Sequence, residues 1–449
     1  MVETVIIMGA AGRDFHDFNI YFKNNPRYRV AAFTAAQISG ISGRVYPPEL
    51  AGPGYPQGIP IRPEAELPAL IGESKADLVV FAYSDVAYVE LMHKAALVQS
   101  LGADFLFVGA QYTMLPSKRP VVAVCAVRTG CGKSQTTRKV CSLLRARGLS
   151  VVAVRHPMPY GDLTRQVLQR FAVPADFARH EVTIEEREEY EPLVEMGVTV
   201  FAGIDYAAIL TAAEAEAQVI VWDGGNNDTP FFQPDVQITV FDPHRAGHER
   251  LYFPGETNML LADIAVVNKV DTAPQTGIDR VLANIAAHAP KATPVLAASP
   301  VAVKEPERIR GARVLVVEDG PTTTHGGMAE GAGAVAARAF GAAELVDPRP
   351  FAVGSIAAAY RTYPHIGPVL PALGYGPEQV AELEASINAT PADLVLFATP
   401  IQLPLVLAMN KPSLRVRYDY QDRGSPTLEE ALTARLEPVL RANGLSWKS

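Results

Sequence analysis

The 449 residues carry 48% apolar and 20% charged side chains with a net charge of -8, which fits a soluble globular protein with no general attraction for nucleic acid or acidic lipid. That length exceeds one ordinary core and calls for two or three domains. Cys125, Cys131 and Cys141 are too few and too clustered for a disulfide framework. No segment has the apolar length of a membrane span and no signal pattern opens the chain. The expectation is therefore a cytoplasmic protein with neither nucleic-acid nor membrane partners.

Residues 1–118 read as an α/β unit. Val5–Gly9 predicts a buried parallel strand running into a glycine turn. Further strands are expected at Val30–Phe33, Leu78–Phe81 and Phe105–Val108, with a helix from Ala87 to about Ser100. Ser117-Lys118-Arg119-Pro120 marks a boundary. A second α/β unit covers 119–305, with a first strand starting at Val121 ahead of the glycine loop and later strands at Val151–Val154, Val219–Trp222, Ile238–Phe241 and Ile264–Val267. The acidic stretch Glu181–Glu195 predicts a solvated helical face. Val314–Val317 and Leu394–Phe397 extend the α/β pattern over 306–449. The expected fold class is α/β: an N-terminal Rossmann-like domain, a phosphate-loop NTPase domain and a C-terminal α/β extension or domain.

The chemistry starts at Thr129-Gly130-Cys131-Gly132-Lys133-Ser134-Gln135, between an apolar strand and a helix. Backbone N–H groups of such a turn surround phosphate oxygens, Lys133 reaches the β- and γ-phosphates, and the Ser134 hydroxyl holds Mg²⁺. The loop pattern has glycine where this chain has Val127. Asp223, ending the next apolar run before Gly224-Gly225, is the expected second magnesium residue. Asn268-Lys269-Val270-Asp271 closes a later strand: Asp271 has the chemistry to read guanine, with Asn268 and Lys269 framing the ring. Taken alone this favours GTP.

Two loops suit an acceptor. Arg155 and His156, with Tyr160 and Asp162, follow the second strand of the unit. Asn226, Asn227 and Asp228 continue the magnesium strand. Arg245 in Asp242–His248 is read as an anion ligand, in preference to zinc binding by His244 and His248. His325, within Glu318–Met328, and Arg13 and His16, within Gly9–Phe18, complete the candidate acceptor residues.

The arrangement resembles the phosphate-loop branch that includes ParA-like ATPases and metallochaperone GTPases. Arg128 stands where ParA-like members carry a signature lysine. The resemblance implies contact with phosphate, within the chain or across a homodimer, with a structural arginine as the alternative. With GAAGRDFHDFN, CAVRTGCGKSQT, RHPMPYGDL, WDGGNNDTPF, NKVD and EDGPTTTHGGM in place, nearly the whole chain resembles the cyclic 2,3-diphosphoglycerate synthetase family. That resemblance implies a magnesium-dependent enzyme that uses ATP to close 2,3-diphosphoglycerate into its cyclic phosphoanhydride, or a related small-molecule phosphoryl transfer. It makes Lys133, Arg128 and Asp223 the catalytic set and a small phosphorylated metabolite the partner. ATP is the implied donor, against the tetrad's leaning to GTP. The competing reading is a regulatory or metallochaperone GTPase acting through a protein partner.

Overall fold

The computed structural model describes residues 2–36, 41, 43–157, 161–225, 227–324, 326–373, 376–399, 403 and 407–447. Its fold is α/β. The first stretch supplies β1 (Glu3–Met8), β2 (Tyr28–Ala35), β3 (Val45–Tyr46), β4 (Ile59–Pro63), β5 (Leu78–Phe81), β6 (Val86–Ala87) and β7 (Asp104–Leu106). All but β6 form one sheet in the order β3-β4-β2-β1-β5-β7, parallel except where β3 meets β4. β1 buries its last four residues, the unbroken apolar run of a strand covered on both faces. Phe15, Phe18 and Phe33 pack against one face, and Leu67, Leu91 and Val98 against the other. The chain leaves β1 toward β2 while β5 lies on β1's other side. The loops after β1 and β5 therefore open a crevice where the strand order reverses, the place where such sheets receive ligands.

The second stretch supplies β8 (Val121–Ala126), β9 (Val151–Arg155), β10 (Gln169–Phe171), β11 (Thr199–Ala202), β12 (Val219–Gly224), β13 (Val236–Phe241), β14 (Tyr252–Phe253), β15 (Ile264–Val267) and β16 (Thr293–Ala298). β8, buried throughout, lies between β12 and β13 near the middle of a nine-stranded sheet whose order runs β10-β11-β9-β12-β8-β13-β15-β16 and ends on a short C-terminal strand, Gln421–Asp422. The helix Lys133–Ala146 begins directly at the phosphate loop. A short antiparallel ribbon of β6 with β14 stitches the first two sheets together.

β17 (Val301–Ala302) precedes the third sheet, built from β18 (Arg313–Asp319), β19 (Glu344–Leu345), β20 (Leu370–Ala372), β21 (Leu394–Ala398) and β22 (Ser413–Arg415). Its ladders are parallel. The chain then turns back: β23 (Arg417–Tyr418) pairs with β17, and β24 (Gln421–Asp422) joins the edge of the nine-stranded sheet. The helix Leu428–Ala442 buries Leu428, Leu432, Leu436 and Leu440 in that sheet's core. Residues 306–449 thus supply both the third sheet and part of the second sheet's edge and core, because this four-residue leucine spacing makes a helical stripe that the second core covers.

Candidate functional site

The ends of β1, β5, β8, β9, β12 and β18 converge on one cavity of about 830 Å³. The loop after β8 reaches it in a conformation only glycine allows. Gly130 and Gly132 have φ of 78° and 105°, and a Cβ on Gly132 would fall 2.0 Å from Asn268 Nδ2. Val127 is buried where the loop pattern has glycine, and its N–H donates to Val240 O at 3.0 Å, so it finishes the strand rather than the turn.

Lys133 Nζ donates to the Asp223 backbone oxygen at 2.7 Å and to its Oδ1 at 2.6 Å, where Thr137 Oγ1 also donates at 2.7 Å. Arg155 donates to Asp223 Oδ2 and pairs with Glu189. Burial works against ionisation of Asp223, but Arg155 and Lys133 overcome it and hold the carboxyl well below its usual range. Burial lowers Lys133 to about 8. Ser134 lines the cavity and Asp223 holds Lys133 in it, and a hydroxyl and an ionised carboxylate are oxygen donors of the kind Mg²⁺ takes. Among the described residues, no group of three or more His, Cys, Asp and Glu gathers for a metal.

The Asn268–Asp271 tetrad braces the loop. Asn268 Nδ2 donates to Cys131 O at 2.8 Å, and Lys269 Nζ to Gly130 O at 2.6 Å and Asp242 Oδ2 at 2.9 Å. Asp271 Oδ1 accepts the Ser299 N–H at 3.1 Å, and Ser299 Oγ donates to Gln135 at 3.1 Å. Thr129, Gly130, Gly132, Lys133, Ser134, Gln135 and Lys269 line the cavity, while Cys131 and Asn268 are buried outside its lining and Asp271 is exposed.

Of the expected acceptor residues, Arg13, Arg155, His156, Asp228 and Arg245 line the cavity. Others do not. Asp162 is exposed and caps a turn, accepting from Thr164 N at 2.9 Å and Oγ1 at 2.7 Å. His16 is a core residue, bonded through Nε2 to Thr113 O at 2.7 Å and stacked on Phe231 at 4.1 Å; burial lowers it to about 3, so it is neutral. Asn227 is fully buried and ties Val127 O to the Asn258 amide. Arg245 is committed to Asp242 and Gly326 O. His244 and His248 bond separately to Thr272 and Arg128. Arg128 itself is clasped by Asp85. Tyr160, Asn226 and His325 lie outside the described residues.

Sequence reasoning missed Asp85, Glu189 and Glu318. Glu189 belongs to the helix Ile184–Glu195, expected to be solvated, yet it reaches Arg155. Glu318, next to last in β18, accepts the N–H groups of Gly331, Gly333 and Ala334, filling the N-terminus of the helix Ala332–Ala339. Its place at a strand end facing a glycine-rich turn was the available signal.

Fold and site together define a nucleotide-dependent α/β enzyme. No protein-family model matches the chain. It is 58% identical over 430 residues to arginine synthetase ArcE of Thermococcus kodakarensis, covering 96% of each, and it belongs to that family. It is thereby an ATP-dependent synthetase of the cyclic 2,3-diphosphoglycerate synthetase class, as the resemblance implied. Urease accessory protein UreG of Ureaplasma parvum is 24% identical over 164 residues, 36% of this chain and 76% of that protein. The ATP complex of LpxK from Aquifex aeolicus aligns with 78% of this chain and 96% of its own, at 12% identity and a TM-score of 0.41. Among the described residues, no helix is long and apolar enough to cross a membrane.

Proposed function

We propose that this chain uses ATP to phosphorylate the ureido oxygen of citrulline, after which ammonia displaces phosphate from the ureido carbon, giving arginine, ADP and inorganic phosphate. The name of its relative supports arginine as the product. Arginine with its terminal imino nitrogen replaced by oxygen is citrulline, and a phosphate loop supplies the γ-phosphoryl group that turns this oxygen into a leaving group. The observation that carries the reading is the charge pattern around the loop. Arg13, Lys133, Arg155 and Arg245 are each paired with buried carboxylates, and Asp14, Asp228 and Glu318 add further acid to the cavity wall. A zwitterion with a neutral ureido tail matches such a balanced wall better than a polyanion does.

The chain's own residues then divide the work. Lys133 and the N–H groups of Gly130–Ser134 hold the triphosphate, and Arg155 lies where charge develops on the transferring group. Ser134 and Asp223 are the residues that would hold magnesium, which when bound neutralises phosphate charge. ATP is the donor in this reading. The tetrad's Asp271 is the support for GTP as a second donor. The three sheets correspond in this reading to a Rossmann-like domain over 1–118, a phosphate-loop NTPase domain over 119–305 and a C-terminal extension. A cytoplasmic homodimer completes the proposal, on the resemblance alone.

The second reading is cyclisation of 2,3-diphosphoglycerate, favoured by the convergence of Arg13, Lys133 and Arg155 on one cavity. Both reactions share the first half, phosphoryl transfer to an acceptor oxygen. The partner-binding GTPase has less behind it, since the UreG likeness is confined to 164 residues. The purified chain, incubated with ATP, magnesium, ammonia and citrulline, should release arginine and ADP in equal amounts. Phosphorus NMR with 2,3-diphosphoglycerate instead should show no cyclic phosphoanhydride. The opposite pair of results would replace the first reading with the second.

A further inference from the structure

Asp228 follows Asp223 by five residues on the loop after β12, so it faces the cavity near the phosphoryl end. Arg13 enters the same cavity from the loop after β1. Their side chains are about nine-tenths buried, and Arg13 Nε lies 3.7 Å from Asp228 Oδ1. That separation makes an ion pair without a hydrogen bond, and both atoms lack a hydrogen-bond partner among the described residues. The other atoms of the two groups are engaged. Arg13 Nη2 donates to Thr229 O and Nη1 lies 3.6 Å from Asp17, with the guanidinium 4.6 Å from the centre of the Phe231 ring. Asp228 Oδ2 lies 3.6 Å from His156 Nδ1, and Ser84 bonds to the same carboxylate.

A buried donor and a buried acceptor, side by side and each unfilled, are costly unless something completes them. One ligand headgroup does so for both: an ammonium and a carboxylate on the same carbon. The carboxylate takes the N–H of Arg13 and the ammonium gives to Asp228, closing a ring of alternating charge. A phosphate or a second carboxylate would satisfy Arg13 but leave Asp228 facing like charge.

We propose that Arg13 and Asp228 are the docking pair for the α-amino-acid headgroup of the acceptor, which assigns the N-terminal sheet's crevice to acceptor recognition. His156 stands between this pair and the phosphoryl end. It is pressed from both sides, because a Cβ on Gly12 or Gly225 would come within 3.0 Å or 2.5 Å of its Nδ1. Burial, reinforced by Arg13, Lys133 and Arg155, keeps the imidazole neutral, so it spaces the two ends without adding charge. The ureido tail then runs past His156 toward Lys133 and Arg155.

This inference rests on the citrulline reading, and the experiment separates the two. Steady-state kcat/KM is measured on the whole chain for citrulline, its α-carboxamide and its Nα-acetyl derivative. The wild type should discriminate against each analogue by at least about a hundredfold, as buried polar sites do when a partner is missing. Arg13→Gln should abolish discrimination against the carboxamide and keep that against the acetyl derivative, and Asp228→Asn the reverse. Because the wild-type ratios need no variant, misfolding of either variant leaves the test intact. Citrulline turned over with equal efficiency to both analogues would overturn the docking pair alone. No arginine from citrulline would overturn the function reading, and the docking pair with it.

Discussion

Arg128 and Asp85 form a buried ion pair that ties the phosphate loop to the N-terminal sheet. Asp85 follows β5 in a left-handed conformation, φ 66°, with its N–H bonded to Phe253 O at 2.8 Å. Arg128 leaves the end of β8, donates Nε to Asp85 Oδ1 and Nη1 to His248 Nδ1, and lies 3.5 Å over the Tyr252 ring. The arginine at the signature-lysine position is therefore held within its own chain. Arg128→Met leaves Asp85 buried without its counterion and should cost about 3–5 kcal/mol of stability. The double variant Arg128→Met/Asp85→Leu should recover most of that in denaturant unfolding. Mixing Arg128→Ala with Lys133→Ala chains should restore no activity, since the arginine serves its own loop.

Asn268 offers a test of what the tetrad does. Its amide holds Cys131 O and packs against Gly132, so its first effect is on the shape of the loop. Asn268→Ala should weaken ATP and GTP by the same factor, about tenfold for a buried hydrogen bond to the loop backbone. Calorimetric titration with both nucleotides checks it. A loss confined to GTP would mean that the tetrad reads the base instead.

The phosphate loop, the aspartate that pairs with its lysine and the main strands were legible in the sequence because each rests on local chemistry. A glycine turn between strand and helix, and an acid closing an apolar run, need no distant partner to be recognised. What stayed hidden were residues whose role depends on a neighbour far along the chain. Asp85 meets Arg128 across 43 positions, and nothing in its own segment announces it. Asp162 and His16 sit in motif-like segments, but one turned outward to cap a turn and the other inward onto Phe231. The return of the C-terminal helix to the second sheet stayed hidden too, although Leu428, Leu432, Leu436 and Leu440 mark its buried face. A helical stripe shows that a face is buried, not against which core.

Three carboxyls set an expected pH dependence of stability. Burial raises Asp14, Asp17 and Glu318 each to about 7. Their unfolded values lie near the ordinary carboxylate range, so between about pH 4 and 7 the folded chain binds more protons than the unfolded one. Stability from these groups is present at the acid end of that window and is lost as pH rises through it. Asp223 and Asp242, held below their usual values, act oppositely and only at the acid extreme. His16 and His156, kept neutral by burial, oppose this fall below about pH 6.5, so urea unfolding should show stability falling from about pH 6.5 to pH 7.5. Asp17→Asn should flatten the slope, and a slope of opposite sign would contradict the burial of these groups.

In the proposed reading, Asp223 is the residue on which nucleotide and metal compete. Its carboxylate is shared by Lys133, Thr137 and Arg155, so a triphosphate must draw Lys133 away before the acid is free to support a cation. Lys133→Ala removes both the phosphate ligand and this handover, and kcat should fall at least about a thousandfold, the scale at which one preorganised charge acts in phosphoryl transfer. Chelation with EDTA should silence the wild type, and excess magnesium should restore it. Asp223→Asn keeps a hydrogen-bond acceptor for Lys133 but loses the negative charge, so excess magnesium should not rescue it. Recovery of Asp223→Asn at high magnesium would place the cation on other oxygens and leave Asp223 as the anchor of Lys133 and Arg155.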